Sequence, residues 1–145
     1  MNWKKEAVED LKRYVCRKEG CLNVADRIQT LNTRLNGTAG VYSDAVPNRG
    51  GSSKVEEWRI NTIVERDRLK MNYTALKKLV KMTERGLSQL SEDERRVLER
   101  FFIYRGGRHV DELMEELCYE KTRIYELKDE ALYKFTVAMY GMIES

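Results

Sequence analysis

Between positions 120 and 134 the chain carries four bases, Lys121, Arg123, Lys128 and Lys134, against four acids, Glu120, Glu126, Asp129 and Glu130. Thr122 and Tyr125 stand among them. Ammonium and guanidinium groups can neutralise phosphates or donate to guanine. A threonine can meet a thymine methyl, and a carboxylate can accept from cytosine. Eight charges balanced in sign serve equally well as a hydrated helix face, so the elements that position them must decide.

Other chemistry has little to work with. The chain holds one histidine, His109, and three cysteines, Cys16, Cys21 and Cys118, with no C-x-x-C pair, so a zinc site lacks ligands and reduced, partly buried thiols are expected. There is no glycine-rich phosphate loop ahead of a helix and no nucleophile beside a base. The protein is therefore expected not to be an enzyme and to use no cofactor. Glu112, Glu115 and Glu116 are assigned to a hydrated helix face.

With 145 residues, 41% apolar, 35% charged and a single proline, the composition favours one all-α domain or a small domain with a helical extension. No apolar run approaches the roughly 20 residues a bilayer requires, and the first residues lack the apolar centre of a signal peptide. The expected location is the cytoplasm, with no membrane partner. The net charge of +3 is too small to diagnose a nucleic-acid binder. Its distribution says more. Residues 54 to 85 hold nine bases against five acids, and residues 109 to 145 hold four bases against nine acids.

Apolar spacing then divides the chain. Residues 1–36 form an N-terminal helical segment of two helices. Trp3, Ala7, Leu11, Tyr14 and Val15 mark the first, which Gly20 interrupts. Val24, Ile28, Leu31 and Leu35 mark the second, which Gly37 stops. Residues 37–53, with Gly37, Gly40, Pro47, Gly50 and Gly51, read as a loop, either a flexible connector or a basic loop offering Arg49 to a phosphate. Residues 54–86 form a long amphipathic helix whose Leu69, Tyr73, Leu76, Val80 and Thr83 seek a partner, within the chain or in a second copy. Residues 87–145 open with a capping box, Ser91 and Glu94, followed by Val97, Leu98, Phe101 and Phe102 on a buried face. A short helix over 110–117, a turn at 118–120 and a helix over 121–140 complete the pattern.

Two stretches resemble region four of bacterial sigma factors. "LSEDERRVLERFF" is similar to that family's L-x-x-R-E-x-x-V-L-x-x-R-F. "DELMEELCYEKTRIYELKDEALYKF" is similar to its E-x-x-x-x-x-x-V-T-R-E-R-I-R-Q-I-E-x-x-A-L-x-K-L. The apolar framework from Leu98 through Leu113, Ile124 and Leu127 to Phe135 falls in register. The resemblance covers roughly residues 87 to 136 and implies a helix-turn-helix. With the preceding helices and the "PNRGGS" stretch, nearly the whole chain resembles the ArpU/RinA group of phage late-gene regulators.

The resemblance implies a sequence-specific DNA-binding transcriptional regulator in a bacterial host cytoplasm. Its implied partners are double-stranded DNA, a second copy in a homodimer, and host RNA polymerase. By register, Lys121, Thr122, Arg123, Tyr125 and Glu126 would face the major groove, with Lys128 a turn further on. Arg105, Arg108 and His109 would meet the backbone at the start of the motif. Arg66, Arg68, Lys70, Lys77, Lys78 and Lys81 form a second basic reserve. Tyr125 stands where the sigma pattern has arginine and Thr122 where it has glutamate, which puts the usual promoter sequence in doubt. Two alternatives remain: a module binding RNA polymerase without base readout, and a small terminase subunit for DNA packaging.

Overall fold

The computed structural model describes the backbone of residues 2–45 and 49–142, and the side chains of residues 2–37 and 53–142. Among the described residues every regular element is helical and no strand occurs. The order is α1 (Trp3–Ala45), α2 (Arg49–Ser88), α3 (Glu92–Leu98), a π-turn over Glu99–Ile103, α4 (His109–Leu117) and α5 (Lys121–Tyr140).

The two N-terminal helices expected from the glycines are one. α1 runs through both Gly20 and Gly37 to Ala45, and α2 is already helical at Arg49, four residues before the expected end of the loop. A helical glycine costs only about 1 kcal/mol relative to alanine, a penalty that continuous packing along a helix readily offsets. At Gly20 the absent side chain leaves room for a neighbour: a Cβ there would stand 3.5 Å from Leu76 Cδ1. Residues 46–48 and the side chain of Arg49 lie outside the described residues, and with them the phosphate contact considered for that stretch.

The chain separates into two compact units: residues 18–77, and residues 1–17 together with 78–145. In the first, the later part of α1 and the earlier part of α2 run antiparallel, as Gly20 opposite Leu76 and an Arg27–Glu65 ion pair of 2.8 Å require. Leu31, Leu35 and Thr62 are buried in this seam. Arg66 reaches across to Asn32 Oδ1 at 3.2 Å.

In the second unit, Ala7, Leu11, Leu87, Leu98, Ala131, Leu132 and Phe135 form one buried cluster. Val97, Phe101, Leu113, Ile124 and Leu127 form another. Gly86 lets the end of α2 meet α5: a Cβ there would fall 2.7 Å from Phe135 Cε2. α5 packs against the start of α1 as well as the end of α2. Tyr140 stacks on Trp3 with ring centroids 5.1 Å apart and donates its hydroxyl to Asp10, which also holds Arg17 at 2.7 Å. Burial and the Asp10 carboxylate both push the Tyr140 phenol upward, so it remains a donor. Tyr133 stays exposed beside a cleft of about 590 Å³ bordered by Arg85, Gln89, Lys134 and Val137.

Candidate nucleic-acid interface

The segment from Ser91 to Tyr140 is built from strong local signals. Ser91 Oγ accepts from the Glu94 amide at 3.2 Å and Glu94 returns the bond to the Ser91 amide at 3.0 Å, completing the expected capping box. Glu92, Asp93 and Glu94 all occupy the first turn, where the helix dipole favours negative charge. Glu94 is only 5% exposed and its Oε2 meets Lys134 Nζ at 2.8 Å. Burial alone would raise its pKa. The Lys134 ammonium and the Ser91 amide and hydroxyl outweigh that cost and hold the carboxyl below its ordinary value.

After α3 the helix widens. Tyr104 N–H bonds to Glu99 O at 2.7 Å, five residues back, closing a π-turn that carries Phe101 and Phe102. α4 then ends on Cys118 in the left-handed conformation, φ 60° and ψ 38°. This non-glycine left-handed turn redirects the chain into α5, whose first residue, Lys121, follows the extended Glu120. Tyr119 fastens the turn from below, its hydroxyl donating to Asp93 Oδ2 at 3.2 Å.

Ile124 and Leu127 point into the core from the first two turns of α5. That anchoring leaves Lys121, Thr122, Tyr125 and Glu126 exposed together, with Arg123 half-buried beside them. Phe101 is the hub beneath. His109 meets its ring edge-on with centroids 4.8 Å apart, Tyr125 meets it at 5.7 Å, and Lys128 Nζ stands 5.4 Å from its centroid and 5.3 Å from that of Tyr125. His109 Nδ1 also lies 3.1 Å from Gly106 O. Residues far apart in sequence, His109 and Tyr125, are thus joined into one surface.

The charges on this surface are unevenly free. Arg123 Nη1 approaches Glu130 at 3.3 Å and Glu126 at 3.5 Å, and its guanidinium lies 6.0 Å from the Tyr119 ring. Glu130 and then Glu126 strengthen its hold on the proton. Lys128 is half-buried, with Asp129 at 3.6 Å. Arg108 makes an exposed 3.7 Å pair with Asp111. Among the described residues Lys121 and Arg105 make no ion pair, and both are exposed.

Part of the acidic face of α4 differs from expectation. Arg96 reaches Glu116 at 2.8 Å, and Arg100 reaches Glu112 at 2.9 Å and Glu116 at 3.6 Å. Two of the three carboxylates assigned to solvent instead stitch α4 to the preceding helical turns. The four-residue spacings Arg96–Arg100 and Glu112–Glu116 carried that signal. Nothing in the sequence marked Phe101 as the meeting point of His109, Tyr125 and Lys128. Cys16 and Cys118 are exposed rather than partly buried, because one lies on the outer side of α1 and the other at the crest of the turn.

Neither a protein-family model, nor a curated protein, nor a solved structure matches this chain. No described helix is long and apolar enough to cross a membrane. Among the described residues no three histidine, cysteine or carboxylate side chains gather as a metal site.

Proposed function

We propose that this protein is a sequence-specific DNA-binding regulator of transcription, of the kind the phage late-gene regulators represent, in which α4 and α5 act as a helix-turn-helix and the start of α5 enters the major groove. The observation that carries the reading is the joint exposure of Lys121, Thr122, Tyr125 and Glu126 over buried Ile124 and Leu127. A helix that presents its first two turns while its far end packs inward is the form that such a groove accepts.

In this reading Lys121, Arg105 and Arg108 meet phosphates, with His109 close by. Thr122, Tyr125 and Glu126 face base edges, where Glu126 accepts from a cytosine amino group. Arg123 reaches DNA by exchanging Glu126 and Glu130 for a phosphate or a guanine. Exposed ion pairs are worth about 0–1 kcal/mol, so that exchange is inexpensive. Lys128 acts indirectly, holding the Tyr125 ring in place.

Selection of bound fragments from a random DNA pool tests the proposal and yields the target sequence. On the selected site, Lys121→Ala with Arg123→Ala should weaken specific binding by about 1–3 kcal/mol per base-contacting arginine lost, with a further uniform loss from the lysine. Unchanged binding by the double variant removes α5 from the interface.

A second reading is favoured by the charge pattern. With Arg123 neutralised and Glu120, Glu126, Asp129 and Glu130 on the same helix, the surface also suits a basic protein face such as one on host RNA polymerase. Absence of any DNA binding at low salt, with retained capture of polymerase, supports that alternative.

A further inference from the structure

The cleft beside Tyr133 takes no part in the surface proposed to read DNA. It lies within the unit of residues 1–17 and 78–145, between the end of α2 and the far half of α5. Arg85 and Gln89 border it on one side, and Tyr133, Lys134, Val137 and Ala138 on the other, around about 590 Å³. Tyr133 is 43% exposed there, and half-buried Val137 and exposed Ala138 add aliphatic surface. The α5 wall is thus largely apolar, because the Lys134 ammonium is already held by Glu94 Oε2 at 2.8 Å.

The α2 wall is cationic. Arg85, Lys81 and Lys78 follow one another at four- and three-residue spacing, so they share one side of the helix over about 10 Å. All three are exposed, and among the described residues none makes an ion pair. Glu84, the one acid between Lys78 and Gln89, lines a different cleft with Tyr14, Arg95 and Glu99. On α5 the acids just before Tyr133 are engaged elsewhere, Asp129 with Lys128 at 3.6 Å and Glu130 with Arg123 at 3.3 Å. The cleft therefore joins an unopposed row of positive charge to an aromatic and aliphatic wall.

The two walls together define the occupant. A phosphate backbone would satisfy the cations but leave Tyr133, Val137 and Ala138 uncovered, and a single ring gives no platform for successive bases. A purely apolar segment would cover α5 and leave the cations without partners. A helix whose apolar stripe is flanked by carboxylates at the same four- and three-residue spacing meets both walls at once. We infer that this cleft binds an acidic amphipathic helix of a partner protein, its carboxylates on Arg85, Lys81 and Lys78 and its apolar side chains on Tyr133, Val137 and Ala138. The charge it takes is opposite to that of the basic face suited to the start of α5, and the inference does not depend on α5 reading DNA.

Fluorescence anisotropy with the full chain at low salt tests this, using a labelled helical peptide that carries leucines along one stripe and glutamates along the adjoining one. The peptide should bind. Counterparts with glutamine for glutamate, or alanine for leucine, should each bind about tenfold more weakly or worse. Arg85→Glu should weaken binding by a similar factor, and a peptide with one glutamate changed to lysine should recover it. Tyr133→Ala should also weaken binding about tenfold. Both altered side chains are exposed, and circular dichroism should show helicity unchanged. No binding of the glutamate peptide, equal binding of its glutamine counterpart, or indifference to both substitutions would each overturn the inference. With no peptide bound, loss of random-sequence DNA binding in Arg85→Glu would assign the cations to nucleic acid, and a dimer dissolved by Arg85→Glu would assign the cleft to a second copy. The DNA selection is decided at Lys121 and Arg123, so failure of the cleft leaves that test standing.

Discussion

Cys118 shows how one residue can set the direction of a helix. Its left-handed backbone costs an ordinary side chain about 1–2 kcal/mol, a penalty glycine escapes. Cys118→Gly should therefore raise stability by about 0.5–1 kcal/mol, while Cys118→Val should lower it by more than 1 kcal/mol, as chemical denaturation would measure. Gly86 presents the opposite case. Alanine gains helix propensity there, yet its Cβ would press on Phe135, which is fully buried, and also crowd Met139. Gly86→Ala should cost about 1–2 kcal/mol net. The same change at Gly37, with nothing within 4 Å, should be stabilising by up to about 1 kcal/mol.

At the scale of the element, Glu94 joins α3 to α5 through Lys134 and caps its own helix through Ser91. Its folded carboxyl holds its proton less firmly than the unfolded one. The stability it adds is thus fully present above the ordinary carboxylate range and is lost as pH falls through its lowered folded value. Glu94→Gln should reduce stability by roughly 1 kcal/mol at neutral pH. The gap between variant and wild type should close as thermal melts are taken toward strong acid. If the gap instead widened on acidification, the Lys134 contact would not be the cause. α5 itself divides by face: Ile124, Leu127, Ala131 and Phe135 hold one side to the core, while Lys121, Thr122, Tyr125 and Glu126 lie exposed at its N-terminal end.

The whole molecule carries too little net charge to attract DNA from a distance, and its free cations near α5 are few. The proposed complex with DNA should therefore show a shallow salt dependence. With about three phosphate contacts, from Lys121, Arg105 and Arg108, the log–log slope is about −3, at roughly 0.9 per phosphate. Titrating the selected DNA complex with salt measures this directly, and Lys121→Ala should reduce the slope by about one. A much steeper slope would bring more cations into the interface than these three.

Much of the all-helical architecture was legible in the residues alone. Apolar spacing, the Ser91–Glu94 box and the lack of breakers placed α3, α4 and α5 within a residue or two, because helix caps and amphipathic periods are local properties. Gly20 and Gly37 misled for a physical reason: a glycine weakens a helix by an amount that packing elsewhere can outweigh, and packing is invisible along the chain. The same limit applies to charge. The sequence determined that Arg123, Glu126 and Glu130 exist on one helix, and that Glu112 and Glu116 share a face with four-residue spacing. Only the tertiary structure decided that Arg123 is held by its own helix, that Arg96 and Arg100 claim the α4 carboxylates, and that Phe101 draws His109, Tyr125 and Lys128 together. Those choices depend on distances between elements, which three-dimensional packing sets and linear order does not.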